Sequence, residues 1–184
     1  MCSDVLVRFA SPTLAGLKTG NLFGYPCSSR CEACRDVREI NRLLKSKGLL
    51  AVPLAFREGR TLLYLFRPSY LARDLTDETA LRLLRNAGFP SGSPMSLVAE
   101  LSRRLRSGSN FPHEIGLFLG YPPEDVEGFI LNKARNYKSV GCWKVYGDEN
   151  EARKCFKRFD KCTEIYLKQF AHGKSLLDLA VCAA

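Results

Sequence analysis

The sequence predicts an α+β fold in which a small antiparallel sheet of about three to four strands is covered by helices. The clearest β signal is a hairpin, because the apolar runs 49–56 and 61–66 flank a short polar turn. The clearest helical signal lies in residues 149–166, where apolar side chains recur every three to four positions. A helix-turn-helix-like corner is predicted at residues 111–131. These three observations favour a mixed fold with separate helical and sheet segments.

The first third of the chain is predicted to begin with a strand, because residues 5–9 form a short apolar run. Ser11 and Pro12 then predict a helix start, and that helix is expected to stop near Gly20. Residues 21–34 are rich in Gly, Pro, Ser and Cys, which predicts a loop. Asp36 is expected to cap the next helix, with an apolar face that ends before residue 48.

The middle of the chain is predicted to contain the hairpin and then short helices. Pro53 should place the first hairpin strand at a sheet edge or at a bulge, because proline cannot donate a ladder hydrogen bond. Residues 69–75 predict a short helix, and Thr76 is expected to cap another. The segment 89–94 is the expected hinge or linker, and Ser93–Pro94 opens an arginine-rich helix.

The corner at 111–131 reads as two short helices around a tight turn. Asn110 is expected to cap the first helix, Gly120 to end it in the left-handed conformation, and Pro122–Pro123 to start the second. The pattern resembles a DNA-binding helix-turn-helix, whose second helix enters the major groove. Three carboxylates open this second helix, at Glu124, Asp125 and Glu127. They would repel DNA phosphates, so the corner is interpreted as a packing element.

The last third is predicted to contain a third strand and a long helix. Residues 139–146 have the composition of a strand. Asp148 is expected to cap the long helix that follows, and 175–181 to form a short closing element.

Composition indicates an ordinary globular protein of 184 residues, predicted to be a single domain covering 1–184. The net charge of +9 and the pI near 9.3 favour anionic partners. No long apolar run predicts a membrane span, and Asp4 and Arg8 make the amino terminus a poor signal peptide. The protein is therefore expected in the cytoplasm, where its eight cysteines would stay reduced.

Three cysteines share a spacing that is typical of metal chemistry. Cys27, Cys31 and Cys34 form C-x-x-x-C-x-x-C, which resembles the cluster-binding motif of radical S-adenosylmethionine enzymes. Ala33 stands where an aromatic residue usually precedes the last cysteine of that motif. The alternative is three loop thiols without metal, and the other cysteines have no metal-ligand spacing.

Two further stretches carry residues suited to anion binding. Lys18, Thr19 and Asn21 lie in GLKTGN, which lacks the glycine that a Walker A loop needs before its lysine. A helix end with these residues could still hold an anion; the alternative is an ordinary helix terminus at the surface. In the predicted third strand, period-two alternation puts Lys144 and Tyr146 on one face.

Lys144 and Tyr146, with Asp148 beside them, could bind phosphate or transfer a proton; the alternative is an exposed strand face and a helix cap. His113 adjoins Glu114 at a helix start, where its charged form is disfavoured. His113 and Tyr146 are accordingly the candidate acid/base residues, and the alternative role of His113 is capping and packing.

Several stretches together resemble a family of uncharacterised bacterial proteins, a domain-of-unknown-function family found mainly in anaerobes. The resemblance is carried by SPTLAGLKTGNLF (11–23), FPHEIGLFLGYPPEDVEGF (111–129), WKVYGD (143–148) and KCT (161–163). It covers nearly the whole chain and implies one domain, with no established activity and no assigned cofactor.

These residues leave three functions open. The first is binding of a small anionic ligand, such as a nucleotide or phosphorylated cofactor, by Lys18, Thr19, Asn21, Lys144 and Asp148. The second is a nucleic-acid-binding module that uses an Arg/Lys surface, with solvated helix faces as the alternative explanation of its charges. The residues of that surface are Arg103, Arg104, Arg106, Lys133, Arg135 and Lys138. The third is an iron–sulfur or thiol redox protein built on the three loop cysteines.

Overall fold

The computed structural model describes residues 2–57, 59–108 and 111–182. The helices within these ranges are α1 (Ser3–Leu14), α2 (Arg30–Leu44), α3 (Pro68–Asp74), α4 (Glu78–Asn86), α5 (Pro94–Ser107), α6 (Ile115–Phe118), α7 (Pro123–Leu131), α8 (Glu149–Ala171) and α9 (Leu176–Leu179). The strands are β1 (Gly20–Pro26), β2 (Leu50–Arg57), β3 (Arg60–Phe66), β4 (Ser139–Val140) and β5 (Lys144–Val145). The predicted α+β class is confirmed.

The main sheet has three antiparallel strands in the order β1-β3-β2. Phe66 lies opposite Gly20 on one side and opposite Leu50 on the other, which fixes the register of all three strands. The predicted hairpin is therefore confirmed as β2 and β3. Pro53 lies on the edge strand, and the register shifts just after it, as expected for a residue without an N–H group.

The sheet separates two hydrophobic cores, because successive side chains of β3 point to opposite faces. Tyr64 and Phe66 belong to one core, which is completed by α3 to α7. Leu63 and Leu65 belong to the other, which is completed by α1, α2 and α9. The long helix α8 packs along α1 and so joins the second layer of helices.

The prediction of a strand at residues 5–9 is wrong, because this run lies within α1. Leu6, Val7, Ala10 and Leu14 are all buried, and this spacing matches one helical face against the sheet. The helix is kinked at Ala10, whose φ of −130° and ψ of 15° are not helical. The kink falls two residues before Pro12, which cannot donate an intrahelical hydrogen bond. Residues 11–12 therefore restart a helix, as the sequence predicted, but that helix ends at Leu14.

The predicted loop at 21–34 is also wrong, since β1 occupies its first part and α2 starts at Arg30. Gly20 begins the strand where a side chain cannot fit, because an added Cβ would lie 2.5 Å from the Tyr64 ring. The helix is capped by Ser29, whose side chain accepts from the Glu32 backbone N–H, rather than by Asp36. The sequence S-x-x-E at this point is a helix-start signal that could have located it.

The predicted strand at 139–146 is replaced by the small hairpin β4–β5, which is separate from the main sheet. The chain turns at Gly141, whose backbone N–H donates to the carbonyl of Trp143 at 3.0 Å. Phe156 of α8 occupies the space that a side chain on Gly141 would need. A continuous strand would require that ring to move.

The predicted helical corner is present as α6 and α7, and Gly120 between them has the expected left-handed φ of 74°. The expected cap Asn110 lies outside the described residues. Asp77, not Thr76, caps α4 by accepting from the Ala80 backbone N–H at 2.9 Å. Ser93 caps α5, as predicted.

The segment 89–94 connects α4 to α5, with Phe89 buried in the core. Asp148 caps α8 by accepting from two backbone N–H groups, as expected. Within the described residues, no helix has the length and apolar content that crossing a membrane requires.

Candidate functional site

The candidate site is a hollow of about 730 Å³ that we call the Lys18 hollow. Five parts of the chain meet there: the segment after α1, the end of α3, the start of α4, the turn between α6 and α7, and one face of α8. Its polar and aromatic wall residues are Lys18, Thr19, Tyr70, Arg73, Asp74, Thr76, Asp77, Tyr121, Cys155, Arg158 and Phe159. This volume suits a small molecule.

Lys18 is the buried cation of this hollow, and its side chain is held between aromatic rings. Only 8% of the residue is exposed. Its Nζ lies 5.1 Å from the ring centroid of Tyr121 and 5.9 Å from that of Phe159, which is cation–π range. Among the described residues, no hydrogen bond or ion pair reaches Nζ. Burial lowers the pKa of Lys18 to about 8, and the neighbouring thiols of Cys142 and Cys155 partly offset this effect.

The carboxylates beside Lys18 are engaged with other groups. Asp74 Oδ2 accepts the Thr19 hydroxyl hydrogen, and Asp74 Oδ1 pairs with Arg73 at 2.9 Å. Asp77 Oδ1 accepts from the first turn of α4. Arg158 adds a second cation on the α8 side of the hollow. The positive charge of Lys18 is therefore not neutralised by a carboxylate of the described chain.

The hollow depends on a close approach between Thr19 and the α6–α7 turn. A Cβ on Gly120 would lie 2.7 Å from Thr19 Oγ1 and 2.8 Å from Thr19 Cβ, and the left-handed backbone at Gly120 also disfavours a side chain. Glycine at this position therefore lets the corner pack directly on the segment that carries Lys18.

Two thiols lie near Lys18: Cys155 lines the same hollow, and Cys142 lines the neighbouring one. Burial raises the pKa of Cys142 and of Cys155, and the positive charge of Lys18 opposes the shift in both. Tyr121 donates from its hydroxyl to the carbonyl of Cys142 at 3.0 Å. Burial also raises the pKa of Tyr121 to about 12, so its phenol stays neutral. At neutral pH the two thiols and the Tyr121 phenol beside Lys18 are therefore uncharged.

Lys144 and His113 line a different hollow, of about 470 Å³, with Phe129 and Trp143 in its wall. Lys144 Nζ donates to the carbonyl of Ala134 at 2.8 Å, so this cation already has an acceptor. The His113 ring packs edge-on against Phe129, with 5.1 Å between centroids. Lys18 and Thr19 thus share one hollow, and Lys144 and His113 share another. Tyr121 belongs to both walls.

The other predicted site residues have structural partners. Asn21 of β1 accepts through Oδ1 from Thr13 Oγ1 of α1 at 2.7 Å. Asp148 is the cap of α8. Tyr146 packs against Gly128, and its buried hydroxyl has no hydrogen-bond partner within the described ranges. None of these three side chains lines the Lys18 hollow.

The motif cysteines lie in different environments. Cys27 is buried and its thiol contacts the carbonyl of Tyr25, whereas Cys31 is exposed in the first turn of α2. Within the described parts of the chain, no three His, Cys, Asp or Glu side chains approach closely enough to hold a metal ion.

The arginines of helix α5 form ion pairs and hydrogen bonds with other groups of the protein. Arg103 and Arg104 both pair with Glu100 at 2.7 Å. Arg104 also donates to carbonyls at the end of α4, and its guanidinium stacks 3.9 Å from the Phe89 ring centroid. Arg106 donates to a carbonyl of its own helix. The remaining basic residues of the predicted surface, Lys133, Arg135 and Lys138, are exposed elsewhere, after α7.

A family model described as "Protein of unknown function (DUF3793)" matches residues 6–180. The chain belongs to this DUF3793 family. The resemblance to a domain-of-unknown-function family is therefore confirmed. No curated protein and no solved structure matched the chain.

In this DUF3793 chain, three of the four stretches that carried the resemblance meet in space. The first and second come together at Thr19 and Gly120. The second and third are joined by Asp125, which is 3% exposed. Its carboxylate accepts from Trp143 Nε1 and the Tyr146 N–H, both at 2.6 Å, and from the Gly147 N–H at 2.7 Å. The corner at 111–131 is thus the element that positions both hollows.

Sequence reasoning missed several residues of the candidate site in this DUF3793 chain. Arg73 and Asp74 end a short helix without any motif, and Arg158 lies on a helix with many charged residues. Phe159 has core spacing on α8, which gives no sign that its ring faces a cation. The usable signal was Gly120, because a left-handed glycine in a tight turn indicates a close backbone approach.

Proposed function

We propose that the protein binds a small anionic ligand, of the nucleotide or phosphorylated-cofactor class, in the Lys18 hollow. The observation that carries the proposal is Lys18, whose ammonium has no hydrogen-bond or ion-pair partner in the described part of the chain; the residue is nine-tenths buried and lines the hollow. A buried charge is normally paired, so an acceptor from outside the chain would complete this site.

The charge of the hollow supports an anionic ligand. Arg73 and Asp74 neutralise each other, and Asp77 is occupied at the helix start. Lys18 and Arg158 remain as cations that face a ligand in the same cavity. At pH 7 a lysine with a pKa of about 8 is still mostly protonated, so it supplies the charge.

The size and the walls of the hollow support a molecule larger than a single ion. A volume of about 730 Å³ is comparable to small-molecule sites, which are roughly 300–1,000 Å³. Tyr70 and Tyr121 give the wall flat aromatic surface, while the two cations give it hydrogen-bond donors. A mixed wall of this kind suits a phosphate attached to an organic ring or chain.

Calorimetric titration with inorganic phosphate, pyrophosphate, AMP and ATP tests the proposal. Lys18→Met keeps the length of the side chain and removes its charge, so affinity for the ligand that binds should fall roughly tenfold or more, the usual size of a charge-assisted hydrogen bond. Lys144→Met is the matched control, because that lysine lies in the other hollow. Equal loss in both variants, or binding that neither variant changes, would contradict the proposal.

A further inference from the structure

We propose that Lys18 is a nucleophilic amine that forms a reversible imine with an anionic aldehyde or ketone bound in the Lys18 hollow. This inference rests on the proposed function for the anionic part of the ligand. It adds a covalent step and a narrower ligand class, namely carbonyl compounds that carry a phosphate or a carboxylate.

The position of the amine favours this chemistry. An amine that attacks a carbonyl needs a free lone pair and space for the carbonyl carbon. Lys18 Nζ has no hydrogen-bond or ion-pair partner among the described residues, and it lines a cavity large enough for a small molecule. The rings of Tyr121 and Phe159 lie close to Lys18 Nζ and shield it from water. A lysine that is desolvated in an apolar pocket is the usual form of an imine-forming lysine.

The protonation state supports the same assignment. With a pKa of about 8, roughly a tenth of the Lys18 side chains are neutral at pH 7, whereas the fraction is roughly 0.03% for a lysine of pKa 10.5. Lys18 should therefore present roughly 300 times more reactive amine than an exposed lysine. The nearby thiols Cys142 and Cys155 have a raised pKa, which keeps them protonated and weak as competitors.

The step balances without an oxidant or a reductant. The neutral amine adds to the carbonyl carbon and gives a carbinolamine. Protonation of its hydroxyl and loss of one water molecule then form the C=N bond, and addition of water reverses the sequence. The protonated imine carries the same single positive charge as the ammonium, so Tyr121 and Phe159 face a cation in both states. Arg158, which lines the same hollow, would hold the anionic group.

The test uses pyridoxal 5′-phosphate as a probe, because it carries both an aldehyde and a phosphate. The full-length protein is incubated with substoichiometric probe and then treated with borohydride, and the modified lysines are located by peptide mass spectrometry. We expect Lys18 to be labelled at least tenfold faster than any other lysine. Lys18→Met should lose this fast phase, and Lys157→Met, an exposed lysine of α8, should keep it.

Two further ligands separate the covalent step from anion binding. Pyridoxine 5′-phosphate lacks the aldehyde, so it should bind in calorimetry and slow the labelling of Lys18. Pyridoxal lacks the phosphate, so it should label Lys18 more slowly than the phosphorylated probe. Lys18→Arg keeps the charge without a reactive amine, and should bind pyridoxine 5′-phosphate while losing the label.

The outcomes distinguish the two proposals. In one outcome, the label is spread evenly over exposed lysines, but pyridoxine 5′-phosphate still binds in a Lys18-dependent way. This outcome overturns the imine and leaves the anion-binding proposal intact. In a second outcome, pyridoxal and the phosphorylated probe label Lys18 fast and at equal rates, and pyridoxine 5′-phosphate does not bind. This outcome supports the imine and overturns the anionic site. Even labelling with no binding overturns both.

Discussion

Replacing Lys18 by methionine should make the protein more stable at pH 7. The pKa of Lys18 falls from 10.5 in an exposed setting to about 8 in the folded protein, because burial disfavours the charged form. A depression of that size corresponds to a destabilisation of about 3 kcal/mol by the charged side chain. The variant also loses the cation–π contacts with Tyr121 and Phe159, which reduces the expected gain in stability by about 1 kcal/mol. The net gain expected for Lys18→Met is therefore about 2 kcal/mol.

The pH dependence of this gain has a definite sign. Below pH 8 the lysine is protonated in both the folded and the unfolded protein, so the full cost of burying the charge is present. Between pH 8 and 10.5 the unfolded chain binds the proton and the folded chain does not, so the stability of the wild type rises with pH. Above pH 10.5 the cost disappears. The stability difference between variant and wild type should therefore shrink from pH 7 to pH 10.

Urea denaturation followed by far-ultraviolet circular dichroism measures the difference at both pH values. The other titratable groups near Lys18 are present in both proteins: Tyr70, Arg73, Asp74, Asp77, Tyr121, Cys142, Cys155 and Arg158. Cys142 and Cys155 are the two whose pKa depends on Lys18, because its positive charge opposes the upward shift that burial causes. The comparison is therefore repeated in a Cys142→Ser, Cys155→Ser background, in which these two thiols do not titrate. Lys157→Met serves as control, because this exposed lysine should change stability by less than about 0.5 kcal/mol.

A variant that is no more stable than the wild type at pH 7 would refute the reasoning. So would a gain of about 2 kcal/mol that persists unchanged at pH 10, since it would then come from packing rather than from charge. A more stable variant that also loses ligand affinity would show that the lysine costs stability and serves binding.

Three other substitutions test the structure around the site. Arg67→Met should destabilise the protein by at least about 3 kcal/mol in urea denaturation, because the buried guanidinium donates to four backbone carbonyls. Asp125→Asn should cost about 2–4 kcal/mol and shift Trp143 fluorescence, since an amide cannot accept all three hydrogen bonds. Gly120→Ala should cost about 1–3 kcal/mol and weaken ligand binding, because the methyl group collides with Thr19.

Each of these has a matched control. Arg135→Met removes an exposed arginine, and Asp160→Asn neutralises an exposed carboxylate, so both should leave stability within about 0.5 kcal/mol. Gly173→Ala introduces the same left-handed strain as the Gly120 change, at a φ of 92°, but nothing lies within 4 Å of the added methyl. A Gly173 variant that weakened ligand binding as much as the Gly120 variant would argue against a collision at the site.

The elements that could be predicted from the sequence are those with a strong local signal. The β2–β3 hairpin, the helix from Ser93 and the cap at Asp148 each follow from period and capping chemistry. Strand β1 could not be recognised in this way, because its glycines and proline resemble a loop and its pairing with β3 is a long-range contact. The run at 5–9 was short enough to fit either a strand or a helix, and packing against the sheet and α8 decides it.

The site was predictable only in part, because local sequence signals do not show which distant residues pack together. Lys18 and Thr19 were found because they follow a helix in a polar run, and the structure places both in one hollow. Lys144 has a similar sequence context, yet the turn at Gly141 places it in a different hollow, with a carbonyl as partner. Arg158 is one charged residue among many on α8, so its position at the hollow emerges only from the packing of that helix.

Lys18 differs from two other buried or half-buried cations, Arg67 and Lys144, in the groups that satisfy its charge. Arg67 is fully buried and donates to four carbonyls, so the chain itself satisfies it. Lys144 has the Ala134 carbonyl as acceptor, with two aromatic rings nearby. Lys18 has aromatic rings as well, but it lines a cavity, and no acceptor among the described residues reaches its ammonium. Since aromatic contacts recover less than the cost of burying the charge, the missing interaction is one that a bound anion or carbonyl group would supply.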